Sequence, residues 1–253
     1  EYEVIRDAFR RLIHHWENSA EREDIIEDII THRCSFLIDR ALRGLALDFD
    51  DALSILRNHN NFTTERERQQ HEILVAAIDN LIDFAAAEEM TMISELPEEV
   101  DEECLLDYET ICEQYNLTYA EAENEQVLFA AKMAAWWMAV NAESVITYMT
   151  QGDERVRPWH LSLEGISYRK SEFPAELIPP IEWGCRCYLI ANGFAGVRAS
   201  LSIDKCRSMV DPVFCESLAT GGRIFTDAHR YFDVPLPEFA LKIVKRLKSK
   251  FYE

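Results

Sequence analysis

Glycine and proline are almost missing from the first 150 residues. Gly44 and Pro97 stand alone there, and seven of each follow. So few chain breakers exclude a turn-rich β architecture over that length and predict helices joined by short connections. Long apolar runs are missing too. The longest candidate, Phe129 to Val140, falls short of the roughly 20 residues that span a bilayer and is preceded by glutamates. No signal peptide is visible in a sequence that opens at Glu1. Seven cysteines form an odd set whose spacings do not suggest a secreted disulfide framework. Cys34, Cys104 and Cys112 fall inside helical patterns and read as small buried hydrophobes, which fits folding in a reducing compartment. Basic residues are scarce at first. Residues 1–150 hold 11 Lys and Arg against 33 Asp and Glu, a net −22. Such a segment is repelled by phosphate backbones, so nucleic-acid binding by residues 1–150 is not expected. Either a basic protein partner or simple solvation of helix faces would account for the charge.

What is present begins with apolar residues at a 3.6 period. Val4, Ile5, Phe9, Leu12, Ile13 and Trp16 define one stripe, and Ile25, Ile26, Ile29, Ile30, Leu37 and Leu42 a second. A short third helix fits Phe49 to Leu56. Thr64-x-x-Glu67 is a capping box opening a helix with Ile73, Leu74, Ile78, Leu81 and Ile82, which ends before Pro97. An acidic helix is predicted from Glu102 to Tyr115. Thr118-x-x-Glu121 reads as a second capping box, from which the helical pattern runs to Tyr148, a rod of about 45 Å. After it the grammar changes. Trp183 to Ile190 reads as a strand, Gly193, Gly196 and Gly221-Gly222 as turns, and Ser202 to Cys215 as containing a short helix. The last residues, from Glu238, form a basic amphipathic helix with Phe239, Ile243, Leu247 and Phe251 on one stripe. Docking on the acidic bundle is its expected role; a partner, nucleic acid or an anionic surface are alternatives.

The chemistry-bearing residues lie between Thr150 and Cys187. Two cysteines two apart in a strand face one way, so Cys185 and Cys187 could share a metal ion such as Zn²⁺, with His160 as third ligand. Cys206, Cys215, His229 or Asp153 are candidates for a fourth. The plainer alternative packs both cysteines beside Trp183 and Tyr188. Asp153, Arg155 and Arg157 suggest charge-assisted bonds that pin a loop. A catalytic alternative makes these arginines phosphate ligands and His160 a general acid or base, as in a metal- or His-dependent hydrolase or nuclease. No second histidine, lysine or nucleophile completes such a set, so a non-enzymatic role is expected.

Thr150, Asp153, Arg155-Val156-Arg157, His160, Gly165, Pro179-Pro180 and Gly184-Cys185-Arg186-Cys187 together resemble the phage head morphogenesis domain typified by protein F of bacteriophage Mu. Phe214, Ile224-Phe225 and His229-x-Tyr231-Phe232 resemble its end more loosely, so the resemblance covers about residues 125–233. It implies a minor virion protein at the portal vertex of a tailed phage head. It also implies assembly in the host cytoplasm and portal or other head proteins as partners; some relatives leave the head with the DNA. Asp153, Arg155, Arg157, His160 and Gly165 are then its structural motif. The expected fold class is mainly α: an acidic helical bundle (1–117), a long helix with a small turn-rich α+β module (118–235), and a basic C-terminal helix (236–253).

Overall fold

The computed structural model describes residues 1–58, 61–193 and 202–253. Gly196 and His59 lie outside that set. Six helices build the first part: α1 (Tyr2–His14), α2 (Ser19–Leu45), α3 (Phe49–Leu56), α4 (Glu65–Ser94), α5 (Leu105–Glu113) and α6 (Ala120–Ala139). Their starts follow the capping rules. Asn18, Asp48 and Thr64 accept hydrogen bonds from the backbone N–H groups of Glu21, Asp51 and Glu67. The Thr64–Glu67 box is reciprocal, with Glu67 Oε2 accepting from Thr64 N at 3.2 Å. Most of the apolar stripes are buried: Phe9, Leu12, Ile29, Ile30, Leu37, Leu74, Ile78 and Leu81 are inaccessible to solvent, whereas Val4, assigned to the first stripe, is exposed.

α2 packs mainly against α6 and α4, and also against α1. Gly44 makes the α2–α6 approach possible, since a Cβ there would lie 2.4 Å from Ala131 Cβ and 2.8 Å from the Leu128 carbonyl oxygen. The small face of α6, with Val127, Ala130, Ala131 and Ala134, is the surface on which its neighbours close.

Three sequence expectations change here. Thr118 does not cap a helix. The chain stays helical from Leu105 to Ala139 through one wide π-type turn, Gln114–Tyr119, and the backbone on both sides is right-handed helical rather than extended. That wide turn brings Asn116 inward, where its Nδ2 donates to Glu89 at 3.2 Å. Second, the helix stops at Ala139, not Tyr148, because Val140 turns extended and the run Val145–Met149 forms strand β1. Its Val-Ile-Thr-Tyr composition suits a pleated surface better than a helix. Third, the strand near the cysteines covers only Tyr188–Ala191, as β3. With β2 (Ser167–Arg169) these make an antiparallel sheet of order β2-β1-β3, pairing Ile146 with Tyr168 and Ala191.

The remaining chain is a strap of short turns over the bundle. It includes α7 (Pro158–Leu161) and α8 (Ile203–Arg207), the one α-helical piece of the predicted 202–215 helix. Asn80 of α4 anchors the strap. Its Oδ1 accepts from Ile224 N and Phe225 N at 2.9 and 3.0 Å, and its Nδ2 donates to Phe225 O at 2.8 Å. Phe84, Phe225, Trp183 and Tyr231 pack around that clamp. The last helix, α9 (Glu238–Tyr252), docks on the acidic bundle, burying Ala240, Ile243, Val244 and Leu247. Lys248 Nζ donates to Asp83 at 2.8 Å, Tyr252 OH to Asp79 at 2.9 Å, and Arg246 pairs with Glu27. Its apolar stripe is therefore spent within the chain.

Candidate metal centre and buried charge cluster

The Thr150–Cys187 segment folds as two loops laced together residue by residue. After β1, Thr150 Oγ1 accepts from Gly152 N at 3.2 Å and donates to the Glu164 carboxylate. Gly152 adopts φ +65°, a left-handed turn that glycine enters without strain. Asp153 then closes a local turn by accepting from Arg155 N at 3.1 Å, and its two oxygens take both guanidinium arms of Arg186 at 2.8 and 2.7 Å. Arg157 Nη2 donates to the Trp183 carbonyl at 2.7 Å, and its Nε pairs with Glu182 Oε1 at 2.5 Å. Pro158 starts α7, which places His160 inward. Gly165, at φ +83°, returns the chain to the sheet and donates to Tyr148 O at 2.9 Å. The second loop turns at Gly184, φ +66°, and delivers Cys185 and Cys187 before β3 begins.

The two cysteines are thus not in a strand, yet they converge. The potential ligand atoms of His160, Cys185 and Cys187 all lie within 4.8 Å of one another, and all three residues are buried. His160 Nδ1 is 3.2 Å from Cys187 Sγ. On the opposite edge of the ring, Nε2 is 2.9 Å from Glu182 Oε1 but outside hydrogen-bonding alignment. A hydrogen bond from Cys187 holds the Cys185 thiol well below its ordinary range, against the effect of burial and with help from His160. Giving that bond raises Cys187, and burial adds to it. Tyr148 is pushed well up, first by burial and then by the charge on the two sulfurs.

The other predicted residues do not join this group. Asp153 is committed to Arg186. Arg155 is exposed; its backbone N–H donates to Asp153, and its charge also helps to hold the Asp153 carboxyl down. Cys206 is buried on α8 and Cys215 is exposed. His229 sits among Phe84, Trp183, Phe225 and Tyr231, where burial and then the Arg230 charge lower it to about 4, and its Nδ1 accepts from Tyr231 N. The constellation proposed for a hydrolase is therefore split: Arg157 and His160 share Glu182, while Arg155 stands apart.

Sequence reasoning missed a second cluster, inside the bundle. Arg33 of α2 is 1% exposed and donates to Glu88 of α4 at 2.6 Å, to Glu123 of α6 at 2.6 Å and to Asn124 at 2.9 Å. Tyr231 OH donates to the other oxygen of Glu123 at 2.9 Å. Glu89 lies beside them with only Asn116 as partner. One guanidinium faces three buried carboxyls, so burial lifts Glu88 well above its usual range and Glu89 to about 8, with Arg33 opposing. The signal is readable: Arg33 falls between Ile29, Ile30 and Leu37, Glu88 and Glu89 between Ala85 and Met92, and Glu123 between Ala120 and Val127, each on a largely apolar stripe.

Residues 88–190 match the family described as Phage Mu protein F like protein, the family that the Asp153–Cys187 motif resembles. The matched span starts in α4, upstream of the expected start near residue 125, and stops at β3 rather than at residue 233. Of the helices before Thr118, the end of α4 and the whole of α5 therefore fall within it. A 42-residue stretch is 50% identical to an uncharacterized protein of Methanocaldococcus jannaschii, covering 17% of this chain and 7% of that protein. No solved structure matches the chain. Among the described residues no helix is long and apolar enough to cross a membrane.

Proposed function

From the phage Mu protein F-like match over residues 88–190, we propose that this protein is a head morphogenesis protein of a tailed phage, acting as a structural part rather than a catalyst. In this reading it binds the portal or neighbouring head proteins, enters the virion at the portal vertex, and is assembled there in the bacterial cytoplasm. The match carries the reading, because it spans both laced loops and the helices that support them. Two further observations support it. Asp153, Arg157 and His160 each have a partner within the fold, which suits a load-carrying module. The net −22 of residues 1–150 is only partly offset by α9, leaving an acidic surface suited to basic faces of other head proteins.

The test is to tag the chain in its producing phage and look for it by mass spectrometry in purified procapsids and virions, with cross-linking to identify its neighbours. Recovery in either particle, cross-linked to portal or head protein, is the expected result. Its absence from both would refute the reading.

A further inference from the structure

The laced loops bring three potential metal-ligand side chains together away from solvent. His160, Cys185 and Cys187 are all buried with their ligand atoms within 4.8 Å of one another, while Glu182 Oε1 lies 2.9 Å from His160 Nε2 and 2.5 Å from Arg157 Nε. Two thiols and one imidazole gathered from separate loops into a buried position are the donor set that zinc-class ions take.

We propose that His160, Cys185 and Cys187 form a three-ligand site for one thiophilic divalent ion of the zinc class, bound through the imidazole Nδ1 and the two sulfurs, with Glu182 orienting the ring from its far edge. The distances fit. Tetrahedral zinc, with bonds of about 2.3 Å to sulfur and about 2.0–2.1 Å to nitrogen, separates a sulfur from a nitrogen ligand by roughly 3.6 Å and two sulfurs by roughly 3.8 Å. The Nδ1–Sγ separation to Cys187 is 3.2 Å and no pair in the group exceeds 4.8 Å, so binding asks for shifts of a few tenths of an ångström to an ångström. The surroundings fit as well. A ligating histidine usually donates its other ring N–H to a carboxylate, which holds the ring and raises its basicity. Glu182 occupies that position at 2.9 Å and is itself fixed by Arg157.

The charge balances on binding. Each thiol gives its proton to solvent, so a dication with two thiolates and a neutral imidazole is neutral overall, which a buried position favours. Two thiolates and an imidazole select zinc-class ions over magnesium or calcium, which prefer oxygen. None of the four other candidates reaches this group, so the fourth position falls to water or to a partner's side chain. The ion would staple the 150–165 loop to the 182–187 loop, and the site stands whether or not the head-protein reading holds.

The experiment is a Co²⁺ titration of the reduced, full-length protein followed by absorption spectroscopy, then displacement with Zn²⁺. One ion per chain is expected, with thiolate-to-cobalt charge transfer and intense tetrahedral d–d bands that Zn²⁺ removes. Glu182→Gln should weaken Co²⁺ binding by about 10–100-fold while keeping the bands. Exposed Cys215→Ser should change nothing. The absence of charge transfer in the unmodified protein would overturn the proposal without recourse to any variant. So would bands that survive unchanged in Cys185→Ser/Cys187→Ser.

Discussion

Glu89 offers the sharpest test of how the bundle is held together. It is buried between helices with Asn116 as its only hydrogen-bond partner, and burial lifts its folded pKa from 4.5 to about 8. The groups facing it are Arg33 from α2, Glu123 from α6, Asn116 from the wide turn, Cys112 from α5 and Glu88 on its own helix. An acid whose folded pKa is raised holds its proton more tightly when folded. Its contribution is therefore most favourable below about 4.5 and is lost as pH rises to about 8. One proton corresponds to about 1.4 kcal/mol per pH unit, so from about pH 6.5 to about pH 8 the loss is about 2 kcal/mol. Glutamine mimics the protonated acid and can still accept from Asn116, so Glu89→Gln is expected to be more stable than the parent, by a margin that grows by that amount over the window. Urea unfolding of both proteins at the two pH values measures it. Titrating groups away from Glu89, His229 and the Cys185–Cys187 pair among them, are common to both proteins and cancel in the difference; Glu88 and Cys112, which the Glu89 charge raises, are part of the effect measured. A margin that stays constant with pH, or shrinks as pH rises, would refute the reasoning.

Removing the cation instead should do the reverse. Arg33→Met leaves Glu88 and Glu123 buried without a counter-ion at a cost of about 3–5 kcal/mol, a loss that equilibrium unfolding should show growing with pH. Asn80→Leu orphans two backbone N–H groups and one carbonyl in the strap. At about 1–3 kcal/mol for each unpaired group, the unfolding free energy from denaturant titration should fall by several kcal/mol, with protease nicking first between residues 210 and 235. Gly44→Ala forces a methyl into the α2–α6 contact and should cost about 1–3 kcal/mol, readable as a lowered Tm with unchanged far-ultraviolet circular dichroism.

Legibility in the sequence varied with the range of the interaction. The α1–α4 stripes, the Thr64–Glu67 box and the amphipathic α9 were readable because helix periodicity and capping act within four residues. Thr118-x-x-Glu121 misled for the same reason: it is a valid local signal inside a helix that contacts with α2 and α4 keep continuous. The Val145–Met149 strand was read as helix because apolar residues follow α6 without a glycine or proline to mark the change. At the candidate site the sequence singles out His160, Cys185 and Cys187, and the fold places them together, but the strand geometry invoked for the two cysteines is not the reason they meet. Glu182 and Tyr148 carry no sequence signal of their own, and Arg33, Glu88, Glu89 and Glu123 carried one that went unread.

The sequence by itself determined that the first half is mainly acidic helix, that glycine and proline concentrate from Gly152 onward, and that the Asp153–Cys187 residues resemble the pattern of a known phage family. Those properties depend on composition and on spacings within a single segment. Tertiary structure alone decided that Asp153 meets Arg186, that Arg157 and His160 converge on Glu182, and that Arg33 is sealed among three glutamates. Each of those pairings joins residues about 25 to 90 positions apart. No local preference encodes them; they form because the helices and the strap bury their apolar faces first, and the charged groups carried inside must then find one another.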